Sequence, residues 1–237
     1  MSKVFLRAEW RKLILANYAV DPKLLQPLVP PKTELDEWDN NHFVSLVGFQ
    51  FLNVRLLGFR IPFHVNFPEV NLRFYVRTKV EGEWRRGVVF VKEIVPKPAI
   101  SFVANTLFGE KYATHPVKEK IEWSDQRLEV GYAWKAKGQW NELNVASSTE
   151  CSIIQPGSED EFITQHFWGY SHKGQNRTIE YNVEHPLWES YTVNNYQVTC
   201  NFTGLYGDRF KDLHHREPDS VMLAEGSPIL IYNKKII

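Results

Sequence analysis

Residues 68–77, PEVNLRFYVR, decide the fold class of this chain because their side chains alternate strictly between two kinds. The even positions are apolar and the odd positions are mostly polar, with Val70, Leu72, Phe74 and Val76 set against Glu69, Asn71, Arg73, Tyr75 and Arg77. A period of two over this length predicts a β-strand with two unlike faces. The apolar face belongs in a core. The polar face leaves two alternatives open, a solvated surface or the inside of a cavity.

Strand patterns recur along the rest of the chain. Residues 11–20, 42–51 and 87–95 carry the clearest ones, and turn residues return about every ten positions, which favours a sandwich or barrel over repeated βαβ units. The sequence therefore predicts a mainly β protein with a few short α-helices, in one domain spanning residues 1–237. The segment AEGSP, residues 224–228, predicts a turn between two strands.

The few helices are marked by their ends. Asp21 can cap a short helix, and Ser158 stands three residues before Glu161 in a capping-box pattern. The longest predicted helix begins at Pro98 and ends at Gly109. All of these segments are short, so helices make up only a small part of the predicted structure.

The overall composition narrows the classes of function. The chain has 28 Lys plus Arg and 28 Asp plus Glu, so its formal net charge is zero and no basic footprint for nucleic acid is present. Hydrophobic residues make up 43% and aromatic residues 14%, including eight Trp, which suits a thick β-core or an aromatic-lined cavity. We expect a small-molecule ligand and no nucleic acid, while homo-oligomerisation stays open.

Cysteine usage and hydropathy add further expectations. Cys151 and Cys200 are the two cysteines, which is too few for a disulfide scaffold or a structural zinc site. No metal-binding spacing of His and carboxylate residues is present, and we expect neither a metal nor another cofactor. The first residues lack the apolar stretch of a signal peptide and no apolar run reaches about 18 residues, so we expect a cytoplasmic protein without a membrane partner.

Two charged residues interrupt the most apolar predicted strand, GVVFVKEIV at residues 87–95. Lys92 and Glu93 are adjacent, so their side chains point to opposite faces of the strand. Burying either one as an isolated charge would cost several kcal/mol. We therefore expect at least one of them to face a polar cavity or a partner.

Six segments of the chain resemble the YqjF-like uncharacterised family, a domain of unknown function. They are AEWRKLILANYAVDP, HFVSLVGF, IPFHVNFPEVNLRFYVR, RGVVFVKEIVP, DEFITQHFWGY and PDSVMLAEGSP, and they run across nearly the whole chain. That family is similar in turn to the acetoacetate decarboxylase-like superfamily. The resemblance implies an antiparallel β-barrel with a central cavity.

Three residues resemble functional positions of acetoacetate decarboxylases. Arg11 lies ten residues before Asp21, as an Arg of that family does before the Asp of a DP turn, and Glu69 resembles a Glu that begins a cavity-lining strand. Lys111, two residues after Gly109 in LFGEKYA, is similar to the lysine that forms the Schiff base. The family pattern W-G-x-P-K-K is incomplete here, because the proline and the second lysine are missing and Lys111 sits one residue early. An amine nucleophile must be neutral, so the missing cation removes one means of lowering its pKa.

The resemblance implies two alternatives for function and leaves open whether the protein is an enzyme. In the first, it is a decarboxylase-like lyase that acts on a small oxo acid. Its residues would be Lys111 as nucleophile with Lys92 in reserve, Glu69 as acid or base, and Arg11 and Arg73 as the groups that hold the carboxylate. In the second alternative the protein binds a small ligand, such as a carboxylate, without catalysis.

Four further residues are candidates for binding in the cavity. Tyr75 and Glu93 lie on the predicted strands, and His64 lies in the preceding loop, where a hydrogen bond within the loop is the simpler alternative. Trp134 shares a strand face with Tyr132, and these rings either line a cavity wall or pack in the core.

Overall fold

β-Strands form most of the molecule and join into one sheet. The computed structural model describes residues 3–174 and 176–237. The strands are β1 Val4–Val20, β2 Glu34–Leu35, β3 His42–Leu56, β4 Phe67–Val80, β5 Glu83–Val95, β6 Tyr112–Thr114, β7 Val117–Trp123, β8 Leu128–Ala136, β9 Gln139–Ile153, β10 Trp168–His172, β11 Thr178–Glu184, β12 Glu189–Thr199, β13 Ser220–Tyr232 and β14 Lys235–Ile236. The helices are α1 Pro22–Leu25, α2 Pro98–Phe108, α3 Glu159–Thr164 and α4 Phe202–Tyr206, with 3-10 turns at Gln26–Leu28 and Asp208–His215. None of the described helices is long and apolar enough to cross a membrane.

The sheet is mainly antiparallel. Its strands are hydrogen-bonded along the path β14-β11-β10-β5-β4-β3-β1-β13-β12-β9-β8-β7, with β2 beside β4 and β6 beside β5. Within the described residues, β10 with β5 and β5 with β6 are the parallel pairs. Strand β11 also pairs with β13, through Val183 opposite Ile231. The pairings from β11 through β10, β5, β4, β3, β1 and β13 therefore return to β11.

Strand β4 is buried on both faces, and this decides between the two alternatives for its polar side chains. Its apolar residues lie in a large core cluster: Val70, Leu72, Phe74 and Val76. Its odd positions from Glu69 to Tyr75 are buried as well. The period of two predicted the strand correctly, and the polar face points into the protein and not into water.

A β-bulge where β4 pairs with β5 decides which charged side chain joins that polar face. The register shifts between Leu72 and Arg73, and on one side of the shift Glu93 lies opposite Asn71 while Lys92 lies opposite Leu72. Directly opposed residues of an antiparallel pair share a face of the sheet. Glu93 is therefore on the polar side of β4, and Lys92 is on the apolar side.

Three helices begin at the predicted residues, and α2 also ends where the sequence predicted. The side chain of Asp21 accepts a hydrogen bond from the backbone nitrogen of Lys23 at 2.8 Å, at the start of α1. Ser158 caps α3 in the same way, accepting from the backbone nitrogen of Glu161 at 3.2 Å. Helix α2 ends where Gly109 adopts a left-handed φ of 66°, a conformation that costs glycine little.

The turn predicted at residues 224–228 was wrong. Strand β13 runs unbroken from Ser220 to Tyr232 through this segment. The glycine responsible for the turn signal, Gly226, has a φ of 81°, and a Cβ there would lie 2.1 Å from the carbonyl oxygen of Trp10 on β1. The glycine thus permits a close approach of two strands and does not reverse the chain.

Candidate functional site

An apolar pocket of about 180 Å³ is lined by α2, the end of β3 and the loop that follows it. Exposed residues such as Ile61 and Ala99 belong to its rim, so it opens to solvent. We call it the outer pocket. Its lining residues are Phe5, Leu6, Phe51, Val54, Leu56, Ile61, His64, Phe67, Glu93, Ala99, Ile100, Val103, Ala104, Phe108, Glu110, Tyr112, Tyr181 and Ile231.

Three buried carboxyl groups lie at and beneath this pocket. Glu69 on β4 and Glu93 on β5 are each 2% exposed, and Glu110, directly after α2, is 8% exposed. They are close enough that the charges of Glu69 and Glu110 raise the pKa of Glu93. We call these three residues the carboxyl cluster.

Two tyrosines, the half-buried Tyr112 and the buried Tyr181, connect the carboxyl cluster through hydrogen bonds. Tyr112 donates its hydroxyl hydrogen to Oε2 of Glu69 at 3.0 Å, and Tyr181 donates to Oε1 of Glu110 at 2.8 Å. The other oxygen of Glu69 accepts a hydrogen bond from the side-chain amide of Asn71 at 3.0 Å. Oε2 of Glu93 has no hydrogen-bond partner among the described residues. Such a group is free to bond a ligand.

Burial is the largest cause of a raised pKa in all three carboxyls, because an apolar environment disfavours the charged form. It raises the pKa of Glu110 to about 8, that of Glu93 well above its ordinary value, and that of Glu69 to about 7 against the opposing hydrogen bonds of Asn71 and Tyr112. At neutral pH, Glu93 and Glu110 are therefore mainly protonated. Glu69 is near the midpoint of its titration.

A second, smaller pocket of about 70 Å³ lies deeper, and none of its lining residues is exposed. We call it the inner pocket. It shares Glu93, Tyr112 and Tyr181 with the outer pocket, so the two meet at the carboxyl cluster. Its lining residues are Trp10, Leu13, Val47, Phe49, Phe51, Glu69, Asn71, Arg73, Val88, Phe90, Glu93, Tyr112, Thr164, His166, Trp168, Gly169, Tyr181, Val183, His185, Trp188 and Ile231.

Arg73 brings a buried positive charge to the inner pocket. Its Nη2 donates a hydrogen bond to the carbonyl of Ile163 at 3.1 Å. Its charge favours the ionised form of Glu69 and so lowers the pKa of that carboxyl. The inner pocket thus holds one guanidinium beside the carboxyl cluster, and its net charge depends on whether Glu69 is ionised.

Four residues predicted from the sequence line these pockets. Glu69 and Arg73 line the inner pocket, Glu93 lines both, and His64 lines the outer pocket. Nδ1 of His64 also lies 2.8 Å from the carbonyl oxygen of Pro62. The two alternatives for this histidine, a place at the pocket and a hydrogen bond within its loop, therefore occur together.

The structure places the lysines elsewhere. Lys111 is exposed, and the amine of Lys92 donates to the carbonyl of Leu205. The buried amine of Lys12 is bonded to the hydroxyl of Tyr191 at 2.8 Å. Over residues 3–174 and 176–237, no lysine lines the outer or the inner pocket.

Three other predicted residues lie outside both pockets. Arg11 forms an ion pair with Glu9 at 2.7 Å. The hydroxyl of Tyr75 is 2.7 Å from that of Ser45, although its ring packs near the inner pocket. Trp134 is fully buried in the core, which favours the packing alternative for it.

Sequence reasoning missed Glu110, Tyr112, Tyr181 and His166 as pocket residues. The one local signal was Gly109, because the chain turns sharply at a left-handed residue that ends a helix. After that turn the side chain of Glu110 enters the pocket and that of the next residue remains outside. Tyr181 and His166 are distant in sequence from the other pocket residues and carry no pattern that separates them from core residues.

Comparison with known sequences places this protein in a family. The model of the DUF2071 family, described as an uncharacterized conserved protein, matches residues 7–228. A relative, the uncharacterized protein YqjF of Bacillus subtilis (strain 168), is 36% identical over 75 residues, a match that covers 31% of this chain and 31% of that protein. These findings confirm the resemblance predicted from the sequence.

Solved structures with the same fold are acetoacetate decarboxylases and related proteins. Acetoacetate decarboxylase from Legionella pneumophila superposes with a TM-score of 0.68 at 13% identity, over 98% of this chain and 87% of that one. The enduracididine biosynthesis enzyme MppR, solved with pyruvate, gives a TM-score of 0.66 at 11% identity, over 100% and 91% of the chains. An acetoacetate decarboxylase-like enzyme from Sphingomonas wittichii RW1 gives a TM-score of 0.66 at 14% identity, over 99% of this chain and 94% of that one. At these identities the likeness is one of fold.

Proposed function

The chain belongs to the DUF2071 family of uncharacterized conserved proteins, and from that premise we propose that it binds a small, largely apolar molecule in the outer pocket. One observation carries the proposal, which is that two buried carboxyls, Glu93 and Glu110, line an apolar pocket open to solvent, with Glu69 bonded to its lining residue Tyr112. The carboxyl cluster would meet the polar end of the ligand. Proton transfer is the chemistry that these groups offer.

The proton states of the carboxyl cluster select the ligand's polar end. Glu93 and Glu110 are protonated at neutral pH and can donate a hydrogen bond to a carbonyl or hydroxyl oxygen. Glu69, with its pKa of about 7, is suited to general acid or base work because its two proton states are close in energy at neutral pH. A neutral ligand with an oxygen at one end matches this arrangement.

A decarboxylase-like lyase acting on a small oxo acid is the second candidate. The shared fold with acetoacetate decarboxylases favours it. Its Schiff base would form on Lys111, whose exposed side chain lies outside both pockets. The lysine positions therefore support binding or proton transfer over imine chemistry.

The strand pairings support a further proposal, that the sheet closes as the β-barrel of the acetoacetate decarboxylase-like fold. Strand β11 pairs with β10, and it also pairs with β13 and β14. The two pockets would then be parts of one central cavity. A single domain, a cytoplasmic location and a possible homo-oligomer stay predictions from the sequence.

Binding in the outer pocket is tested with 1-hexanol, a neutral probe with an apolar tail, by isothermal titration calorimetry on the full chain. Ala104 lines the outer pocket from α2, whereas nearby Thr106 is exposed and does not. Ala104→Trp fills the pocket and should abolish binding, and Thr106→Trp should leave it unchanged. Absence of saturable binding to the unmodified protein, or equal binding by both variants, would overturn the proposal.

Imine chemistry is tested separately by borohydride trapping. The protein is incubated with acetoacetate and a small panel of oxo acids, reduced, and weighed by intact-mass spectrometry. The lysine positions predict no adduct. A stable adduct that maps to Lys111 or Lys92 and is lost on substitution by Arg would instead make the lyase the leading function.

A further inference from the structure

The inner pocket gathers polar atoms that have no partner. Five residues that line it each leave one buried atom without a hydrogen bond among the described residues: Trp10 Nε1, Asn71 Oδ1, Arg73 Nε, Glu93 Oε2 and His166 Nδ1. A buried polar group without a partner loses its hydration and gains nothing in return, so native proteins keep few of them. Five around one pocket indicate a site that is completed by an occupant.

Two of these atoms are fixed as donors by their chemistry. The indole nitrogen of Trp10 carries a hydrogen and has no acceptor lone pair, and the same holds for Nε of the Arg73 guanidinium. The neutral carboxyl of Glu93 is adaptable, since it offers one hydroxyl and one carbonyl oxygen.

Two others are fixed as acceptors by their neighbours. The amide nitrogen of Asn71 donates to Glu69 at 3.0 Å, which leaves its Oδ1 as the free atom. Nε2 of His166 lies 3.2 Å from the buried carboxylate of Asp36, which Arg86 holds ionised, so the imidazole hydrogen is on Nε2 and Nδ1 is a bare lone pair.

We propose that the inner pocket binds a primary carboxamide, the polar end of a ligand whose apolar tail occupies the outer pocket. The carboxamide oxygen accepts from the donors of Trp10 and Arg73, and its two N–H groups donate to Asn71 and His166. A carboxylate has no hydrogen for the two acceptors, and an ammonium has no lone pair for the two donors. The inference deepens the proposed function and rests on it for the tail.

The dimensions agree with this assignment. The inner pocket has a volume of about 70 Å³, which is enough to hold a carboxamide group. The two pockets share Glu93, Tyr112 and Tyr181, so a ligand that spans them passes the carboxyl cluster.

The chemistry of the head group is tested with four probes that share one tail. Hexanamide, hexanoate, hexylammonium and 1-hexanol are titrated into the full chain at pH 7.5 by calorimetry. The inference predicts that hexanamide binds at least about tenfold more tightly than each of the other three, the effect of pairing buried groups that they leave unpaired. Equal or tighter binding of hexanoate or hexylammonium would overturn it.

A matched pair of tryptophan variants places the head group. Trp10 and Trp134 both have a buried indole nitrogen without a partner, but only Trp10 lines the inner pocket. Trp10→Phe should weaken hexanamide binding about tenfold, and Trp134→Phe should not change it. Asn71→Leu, which removes an acceptor, is a second variant should Trp10→Phe unfold. Loss of affinity in neither pocket variant, or equally in Trp134→Phe, would contradict the assignment.

The two proposals fail in distinguishable ways. If 1-hexanol binds and hexanamide gains nothing over it, the carboxamide site is wrong and the outer-pocket proposal stands. If none of the four probes binds, the outer-pocket proposal fails and the carboxamide assignment falls with it.

Discussion

Replacing Glu110 by glutamine should stabilise the protein at alkaline pH, against the usual expectation for a buried residue. Glutamine has nearly the shape of a protonated glutamate, and its amide oxygen can still accept the hydrogen bond that Tyr181 donates at 2.8 Å. The variant therefore keeps the contacts of the protonated state and removes only the ability to ionise. Any difference in stability between the variant and the unmodified protein should therefore come from the ionisation of Glu110, and it should change with pH.

The magnitude follows from the raised pKa of Glu110. Burial raises this pKa from 4.5 to about 8. Between these values the folded protein holds a proton that the unfolded chain has released, so stability falls as pH rises, by about 1.4 kcal/mol for each pH unit. The loss reaches roughly 5 kcal/mol near pH 8 and then levels off. Glu110→Gln removes this loss, so its advantage over the unmodified protein should grow from near zero at pH 4.5.

Urea unfolding at whole pH units from 5 to 9 measures the difference. Glu119→Gln is the control, because Glu119 is an exposed glutamate on β7 and its change should give a pH curve parallel to that of the unmodified protein. If the Glu110→Gln curve also runs parallel, the carboxyl ionises as it does in water. The reasoning about the buried cluster would then be refuted.

Three further substitutions test the structure by denaturant unfolding. Asp36→Asn should lower the free energy of unfolding by about 2 kcal/mol at pH 7, because Asp36 accepts charged hydrogen bonds from the partly exposed Arg86. Since the pKa of Asp36 is lowered, this loss should shrink as pH falls below 3.8. A loss that stays constant with pH would contradict the reasoning. Gly226→Ala should cost about 1–3 kcal/mol or more from its φ of 81° and the contact with Trp10, and a neutral result would mean that the strands approach less closely. Asp21→Ala should cost about 1 kcal/mol by removing the cap of α1, whereas Asp21→Asn should restore most of it.

Local pattern predicted many of the elements, because each of these depends on a few neighbouring residues. The period of two over residues 68–77 identified β4, and capping residues located the helix ends at Asp21, Ser158 and Gly109. The same local reasoning failed at Gly226, because a glycine that turns the chain and one that lets a strand pass closely look identical in sequence.

Only part of the candidate site could be predicted from the sequence, because its residues come from distant parts of the chain. Glu69 and Arg73 could be found on the polar face of one strand. Whether that face met water or a pocket depended on what covers it, and Tyr181 and His166 come from segments about a hundred residues further along. Glu110 was passed over because its neighbour carried the resemblance to decarboxylases.

A bulge and a turn decided the remaining charges. The register shift between Leu72 and Arg73 sets Glu93 on the pocket side and Lys92 on the apolar side, which adjacent strand positions alone could not assign. The turn at Gly109 decides in the same way between Glu110 and Lys111. In both places a backbone shift of one residue would bring a lysine to the pocket in place of a glutamate.

The central claim is that burial raises the pKa of all three carboxyls of the cluster. The most direct test is a pH titration of carboxyl ¹³C shifts in protein labelled at glutamate, with Glu69→Gln, Glu93→Gln and Glu110→Gln used to assign the three signals. We predict that Glu93 and Glu110 remain protonated at pH 7 and that Glu69 titrates near 7. Three titrations near the ordinary value of 4.5 would mean that water reaches all three carboxyls, and the account of the site would be wrong.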